Sequence, residues 1–378
     1  MTHEAIRILQ ALTKSEVGGT ELMVLRLVRG VDRTRFACEV CFLDGCGPMA
    51  SRFQAESVPV HDLHGRGGFL GAARRLAALL KRRHFHVVHL YGFRMSLLGR
   101  VTARVVSPRP LIVHGIRGLH ITEGEETDRL PTQLALAVER LGAPWIDSYI
   151  ANSQAAAAFL TTSGIPGKKF TVIPNGIDLE EWSVPNRQTT MRVPIIICVA
   201  NFRPRKRHQD LLKSLDLLRQ QGMQIHCQLV GDGVTRRAIA ERVRQQQLNG
   251  IVEFMGSRTP DEVRQLLHAA DIFALPSLWE GMPGSVMEAM AAGLPVVGTD
   301  VAGTQELVVD GVTGYLVSAK NPQQFATRLQ RLLVNPGLRA QMGEAGRQRM
   351  QEHFSLTAMV RQHEEVYTRF VQERLQEA

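Results

Sequence analysis

The sequence predicts an α/β protein made of two Rossmann-like, doubly wound parallel-sheet domains. Three observations carry that expectation. Short β-branched or apolar runs alternate with amphipathic helical patterns along most of the 378 residues. The alternation breaks once, around 176–193, where "NGIDLEEWSVPNRQTTMRVP" holds Asn-Gly, two prolines and no apolar period. The chain is also longer than one usual core, and cores that large split into domains of roughly 50–200 residues.

In chain order, strands are expected at 6–12, 38–43, 57–61, 86–90, 111–114, 148–151 and 171–173, then at 194–200, 224–230, 251–254, 271–275, 295–298 and 315–317. Helical patterns lie between them at 20–30, 69–84, 153–163, 208–221, 235–246, 260–268, 285–292 and 322–334. Residues 337–376 continue as helix without a further strand. Strand–helix alternation implies parallel sheets joined by right-handed crossovers. The expected division is a first domain at 1–180, a linker at 181–193, a second domain at 194–355, and a terminal helix at 356–378 packing back on the first domain. Two such domains would face a cleft outside the carboxyl ends of their strands, where open α/β sheets bind ligands.

Charge and composition remove some function classes. The net charge of +9 is spread, with 22 Lys+Arg against 17 Asp+Glu in residues 1–185 and 23 against 19 in the rest. A nucleic-acid arm concentrates its charge in one stripe, and aromatic residues are only 6% of the chain, so no nucleic acid partner is expected. The excess suits an anionic ligand or a membrane surface. Five cysteines lack zinc spacing and read as buried thiols in a reducing compartment. No window approaches the ~18 apolar residues of a membrane span. The expected protein is cytoplasmic, either free or peripheral on the inner face of the membrane.

Chemistry should then reside just after strands. "QLVGDGV" closes a strand in Gly231-Asp232-Gly233, a turn that lets backbone approach a ligand. "VANFRPRKRHQDLL" places Arg203, Arg205, Lys206 and Arg207 after strand 194–200, a cationic loop suited to a diphosphate. "LPSLWEGMPGSVMEAM" runs from a strand through a loop into a helix near Ser285, whose free amides form an anion site. Glu280 precedes that helix and Glu288 lies about one turn inside it. Carboxylates beside an anion site point to uncharged hydroxyl targets, and sugar hydroxyls fit. A nucleotide-sugar has that order of hexose, diphosphate and ribose.

These residues resemble the retaining glycosyltransferases of family 4, which have the GT-B fold. The E-x7-E element is matched by Glu280 and Glu288, and "AGLPVVGTDVAGTQELVVDGVTGYLV" is similar to its continuation. "VIPNGID" (172–178), "VGGTELMVLRLV" (17–28) and "VVHL" (87–90) resemble first-domain segments. The resemblance implies an acceptor-binding first domain and a donor-binding second domain. Glu280 would sit near the donor hexose and Glu288 near the ribose. Amides of Gly281, Met282, Pro283, Gly284 and Ser285 would line the hexose and diphosphate, less the missing proline N–H. Gly18 and Gly19 would admit donor phosphates close to backbone, with Asn201, Gly231, Asp232 and Gly233 completing the donor side. Arg203 and Lys206 form the expected phosphate pair, Asn201 standing where the family often has Arg. Arg117 in "PLIVHGIRGLH" occupies the slot of the family's histidine near the reacting carbon; His89, His114 and Glu21 are the acceptor-side candidates.

The implied reaction is transfer of a hexose from a UDP or GDP sugar to an acceptor hydroxyl, on a saccharide or lipid-linked glycan, with no metal or other cofactor. Alternatives are a non-catalytic nucleotide-sugar-binding homologue and a same-fold epimerase or hydrolase. The basic segment 66–84, "RGGFLGAARRLAALLKRRH", reads either as an ordinary domain helix or as a contact with an anionic bilayer. The acidic segment 121–128, "ITEGEETD", reads either as an ordinary surface loop or as an acceptor-side loop.

Overall fold

A computed structural model describes residues 5–117, 132–182 and 193–376 of the chain. They form two compact units, residues 1–176 with 356–378, and residues 177–355. The acidic segment 121–128 and most of the linker 181–193 lie outside the described residues.

Unit 1 contains strands β1 (Ile6–Leu12), β2 (Phe36–Phe42), β3 (Val60–Asp62), β4 (Val87–Tyr91), β5 (Leu111–Ile116), β6 (Ser148–Ala151) and β7 (Phe170–Val172). Its helices are α1 (Gly19–Gly30), α2 (Pro48–Ala55), α3 (Gly68–Arg83), α4 (Phe93–Thr102), α5 (Thr132–Gly142) and α6 (Gln154–Thr162). The strands join as one parallel sheet in the order β3-β2-β1-β4-β5-β6-β7. Both faces are covered, so strands such as β4 and β5 are buried at every residue and read as continuous apolar runs. One apolar layer holds Leu76 and Leu80 of α3 with Leu98 of α4 and Leu160 of α6. The opposite layer holds Val24 and Leu27 of α1, Phe53 of α2, and Met359 and Tyr367 from the chain's last helix.

Unit 2 contains β8 (Ile195–Val199), β9 (His226–Val230), β10 (Val252–Gly256), β11 (Ile272–Leu275), β12 (Val296–Thr299) and β13 (Gly314–Val317). Helices α7 (His208–Gln220), α8 (Arg236–Gln245), α9 (Pro260–Ala269), α10 (Gly284–Ala291), α11 (Ala302–Leu307), α12 (Pro322–Leu333) and α13 (Pro336–His353) surround its parallel sheet, ordered β10-β9-β8-β11-β12-β13. The helix starts are written locally: Thr259 and Glu262 make a reciprocal capping box on α9, and Asn321 and Asn335 cap α12 and α13. After Ser355 the last helix, α14 (Leu356–Gln376), returns to unit 1 and packs on α1. No described helix is long and apolar enough to cross a membrane.

The strand expected at 57–61 begins instead at Val60. Ser57 adopts a left-handed φ of 59°, which turns the chain before it can pair. Helices α2, α4, α5 and α11 lie outside the expected helical segments.

Candidate active site

Strand order in unit 2 decides which loops meet. β8 pairs with β11 in parallel, Ile196 opposite Ile272 and Ile197 opposite Phe273. Their carboxyl-end loops therefore leave the sheet side by side, although 74 residues separate Lys206 from Glu280 in sequence. The loop after β8 forms a short 3-10 turn, Pro204–Lys206, and the Leu278 amide donates to the Arg205 carbonyl at 2.8 Å. The loop after β9 joins from the other side, the Phe202 amide donating to the Asp232 carbonyl at 2.9 Å. β12 supplies a fourth support, with Thr299 Oγ1 donating to the Ser277 carbonyl at 2.5 Å.

At the centre is an ion pair. Lys206 Nζ lies 2.5 Å from Glu280 Oε1, and the two residues are 9% and 5% exposed. Ser277, fully buried, donates through Oγ to the same oxygen at 2.6 Å. Arg205 Nη1 reaches Glu280 Oε2 at 3.4 Å, and its guanidinium stacks 4.3 Å above the Trp279 ring. Burial pushes the Glu280 carboxyl up, but Lys206, then Arg205, and hydrogen bonds from Lys206 and Ser277 outweigh it and hold the group below its usual range. Glu280 is therefore ionised. This differs from the expectation of an open acceptor for hexose hydroxyls: one of its oxygens already holds Lys206 and Ser277. Arg203 precedes the 3-10 turn and is half-buried, while two cations, Lys206 and Arg205, contact the carboxylate.

α10 starts at Gly284 with no side-chain cap, its Ncap position taken by Pro283. The first-turn amides keep the anion-binding capacity of an uncapped helix end. Gly281, Met282 and Pro283 are buried, whereas Gly284 and Ser285 are partly exposed, and space stands open where a Gly284 Cβ would lie. Glu288 follows one turn on, half-buried. Gly303 of α11 lets the Glu280–Gly281 loop close, since its Cβ would stand 2.0 Å from the Gly281 carbonyl oxygen.

Gly231 has φ of 130°, and a Cβ there would lie 2.3 Å from the Ala200 carbonyl oxygen. It keeps the β8 and β9 loops in register; Asn201, Asp232 and Gly233 are exposed at their rim. Behind them His208 stacks on Phe202, centroids 4.2 Å apart and planes within 4°. Neither of its ring nitrogens has a hydrogen-bond partner among the described residues. Burial first, then the Lys206 charge, lowers its pKa to about 4, so it is neutral.

In unit 1, Gly18 is the Ncap of α1, a position whose side chain would press on the Glu21 carboxylate; Gly19 opens onto free space. The acceptor-side expectation for His89 and His114 does not match their burial. His89 is fully enclosed beneath α14, its Nδ1 2.7 Å from the Tyr367 hydroxyl and 3.0 Å from that of Tyr91. His114 is 4% exposed and bonds Ser96 and the buried Glu139. Both are held inside the unit. Arg117 sits just past β5, half-buried, donating to Asn175 Oδ1 at 2.9 Å and lying 5.5 Å over the Tyr91 ring. Its Nε and Nη2 have no partner among the described residues.

Four neighbours of the pair escaped the sequence reading: Arg205 as a site residue, Ser277, Trp279 and Thr299. The first three carried a signal, standing in the same cationic run or within three residues of Glu280. Thr299 carried none, because only the β11–β12 pairing brings it there.

Comparison with known proteins agrees with this architecture. The model described as "Glycosyl transferases group 1" matches residues 184–349, and the one described as "Glycosyltransferase Family 4" matches residues 17–181. The WcaL protein of Salmonella typhimurium, a putative colanic acid biosynthesis glycosyltransferase, is 32% identical over 46% of this chain; the chain covers 44% of that relative's length. An Escherichia coli UDP-Gal:α-D-GlcNAc-diphosphoundecaprenol α-1,3-galactosyltransferase is 24% identical, covering 68% of each chain. The crystal structure of Anabaena HepE, described as a complex with UDP and glucose, superimposes with a TM-score of 0.84 over 96% of this chain and 99% of its own, at 20% identity. With both halves matched by family models and two parallel-sheet α/β units of this topology, the chain belongs to the group 1 glycosyltransferases of the GT-B fold.

Proposed function

We propose that the protein transfers a hexose, with retention of configuration, from a UDP-sugar to an acceptor hydroxyl on a saccharide or lipid-linked glycan intermediate. The observation that carries the proposal is the Lys206–Glu280 pair, contacted by Arg205, beside the uncapped start of α10. UDP is favoured over GDP because HepE is described with UDP, and a saccharide or lipid-linked acceptor because two relatives are named for such chemistry.

In this reading the bond between the hexose C1 and the diphosphate oxygen breaks, and charge develops on the departing phosphate. Lys206, Arg203, Arg205 and the amides of Gly284 and Ser285 stabilise that charge in a site whose dipoles are already oriented. The acceptor oxygen bonds C1 on the face the diphosphate leaves, and its proton passes to the departing phosphate oxygen. No protein base is required, and no metal is included. Glu280 holds Lys206 in place, and its Oε2, which Arg205 reaches at 3.4 Å, also meets a hexose hydroxyl; Glu288 accepts from the ribose. Arg117 is the unit 1 group assigned to donor or acceptor oxygens. His89 and His114, buried inside unit 1, are given no contact with either substrate. The proposed setting is the cytoplasm, either free or at the inner face of a membrane, the latter suggested by the diphosphoundecaprenol acceptor in the Escherichia coli relative's name.

The test is nucleoside diphosphate release from a panel of UDP- and GDP-sugars with a polyprenyl-diphosphate-linked sugar as acceptor, in EDTA. Release from one UDP-sugar, lost in Lys206→Met, with the α-anomer of the donor kept in the product, is the expected result. An inverted product, or turnover abolished by EDTA, overturns the mechanism. Tight UDP binding without turnover favours the non-catalytic alternative.

A further inference from the structure

The amino-terminal ends of β5, β6 and β7 carry an exposed apolar cluster that the sugar-transfer reading does not use. Because these strands are parallel neighbours, the turns entering them lie side by side: Ala103–Val105 before β5, Ala143–Trp145 before β6 and Gly167–Lys169 before β7. Arg104 Nη2 donates to the Pro144 carbonyl at 3.0 Å, and Lys169 Nζ donates to the carbonyls of Ala143 and Ile146 at 2.8 and 2.6 Å, so the three turns form one surface. On it Val105 is 73% exposed, Leu141 76% and Trp145 45%. Large apolar side chains gathered at turn tips are costly in water and mark a contact surface.

The charge around them has one sign. Arg104, Arg140 and Lys168 are exposed beside the apolar tips, and α3, which packs on the Ala103–Val105 turn, adds Lys81 and Arg82 on its solvent side. Lys169 registers the crowding: its pKa is lowered, by burial first, with Arg104 and Lys168 adding to the effect against Asp147. Among the described residues from 132 to 169 the acids are Glu139, which is buried, and Asp147, which is bound by Arg109. Apolar tips, one of them an indole, within a basic rim are complementary to a bilayer of negative surface potential.

We propose that this surface docks unit 1 on an anionic lipid bilayer, with Val105, Leu141 and Trp145 entering the headgroup boundary and Arg104, Arg140 and Lys168 at the lipid phosphates. The exposed start of α3, with Phe69 46% and Leu70 63% exposed, lies at the other end of that helix and is not part of the contact. The proposal stands on this surface alone and survives or fails independently of the transfer reaction.

The test is co-sedimentation of the full chain with vesicles of phosphatidylcholine alone and of phosphatidylcholine with phosphatidylglycerol. Binding to the anionic vesicles, weakened by salt, is expected, with a blue shift in tryptophan emission that Trp145→Phe removes. Val105→Asp/Leu141→Glu should bind roughly tenfold or more weakly, as should Arg140→Glu/Lys168→Glu. Both keep the wild-type melting temperature, since all four side chains are exposed. Leu70→Glu should bind as wild type. Absence of binding at low salt overturns the proposal and leaves an acidic protein as the partner to seek. Wild-type binding by both double variants, or loss in Leu70→Glu, overturns the assigned surface. Salt-sensitive binding without the Trp145 shift overturns the insertion of the apolar tips. Turnover of the sugar donor, assayed on the same preparations, separates these failures from failure of the transfer reading.

Discussion

Removing either partner of the Lys206–Glu280 pair should destabilise unit 2 unequally, and the inequality follows from what each partner leaves behind. Glu280→Ala strips Lys206 of its carboxylate while the ammonium stays 9% exposed. Stranding a buried charge in this way costs about 3–5 kcal/mol. Lys206→Met leaves Glu280 with Ser277 Oγ at 2.6 Å and Arg205 Nη1 at 3.4 Å, and Met fills the aliphatic volume, so a cost of about 1–2 kcal/mol is expected. In the double variant Lys206→Met/Glu280→Ala no charge is stranded, so it should be more stable than Glu280→Ala alone by about 1–3 kcal/mol. Urea unfolding of the full chain reads this out by tryptophan emission, two of whose three sources, Trp182 and Trp279, lie in unit 2. Additive costs, or a Glu280→Ala cost below that of Lys206→Met, would refute the reasoning. The pH sign is set as well. The folded carboxyl lies below its usual 4.5, so its contribution is complete above that pH and is lost as pH falls through the folded value.

His208→Phe keeps the stack on Phe202 and removes a group whose folded pKa of about 4 lies below its usual 6.5. The unfolded chain binds the extra proton between those values, so the wild type should lose roughly 3 kcal/mol as pH drops from 6.5 to 4. The variant should lose less in thermal melts across that window, and identical slopes would count against a buried neutral His208. Gly231→Ala forces a Cβ against the Ala200 carbonyl at φ 130° and should cost about 2–3 kcal/mol. Gly284→Ala meets nothing within 4 Å and should leave unfolding nearly unchanged while weakening UDP binding severalfold by calorimetry. Unchanged UDP affinity would mean that the diphosphate does not approach that backbone.

Much of the fold is written in period and composition, because strands buried on both faces appear as unbroken apolar runs and their helices as amphipathic stripes. The exceptions have physical causes. α4 was missed since Arg100, polar on paper, is 1% exposed and turned inward onto the buried Glu139, so its segment shows no polar face. His89 looked like a strand-end ligand because nothing near it in sequence announces that α14, some 270 residues later, covers it with Tyr367. Lys206 and Glu280 were each legible from their loops. Their mutual bond was not, because it depends on β8 lying next to β11, and strand order is a property of the sheet.

That bond bears on why a carboxylate would stand beside the proposed diphosphate site at all. A lysine in this position must be desolvated before the ligand arrives if it is to act without reorganising at the moment of bond cleavage. Left unpaired, such a lysine would swing toward water, which weakens it as a phosphate partner. Glu280 prevents this at the cost of one unit of attraction, which Arg205 offsets. Trp279 and Ser277 then complete the device. The indole face keeps the Arg205 guanidinium beside the pair, and the buried hydroxyl fixes the carboxylate oxygen that holds Lys206. On the proposed chemistry the lysine's position is set before the donor binds, so binding energy need not be spent on ordering it.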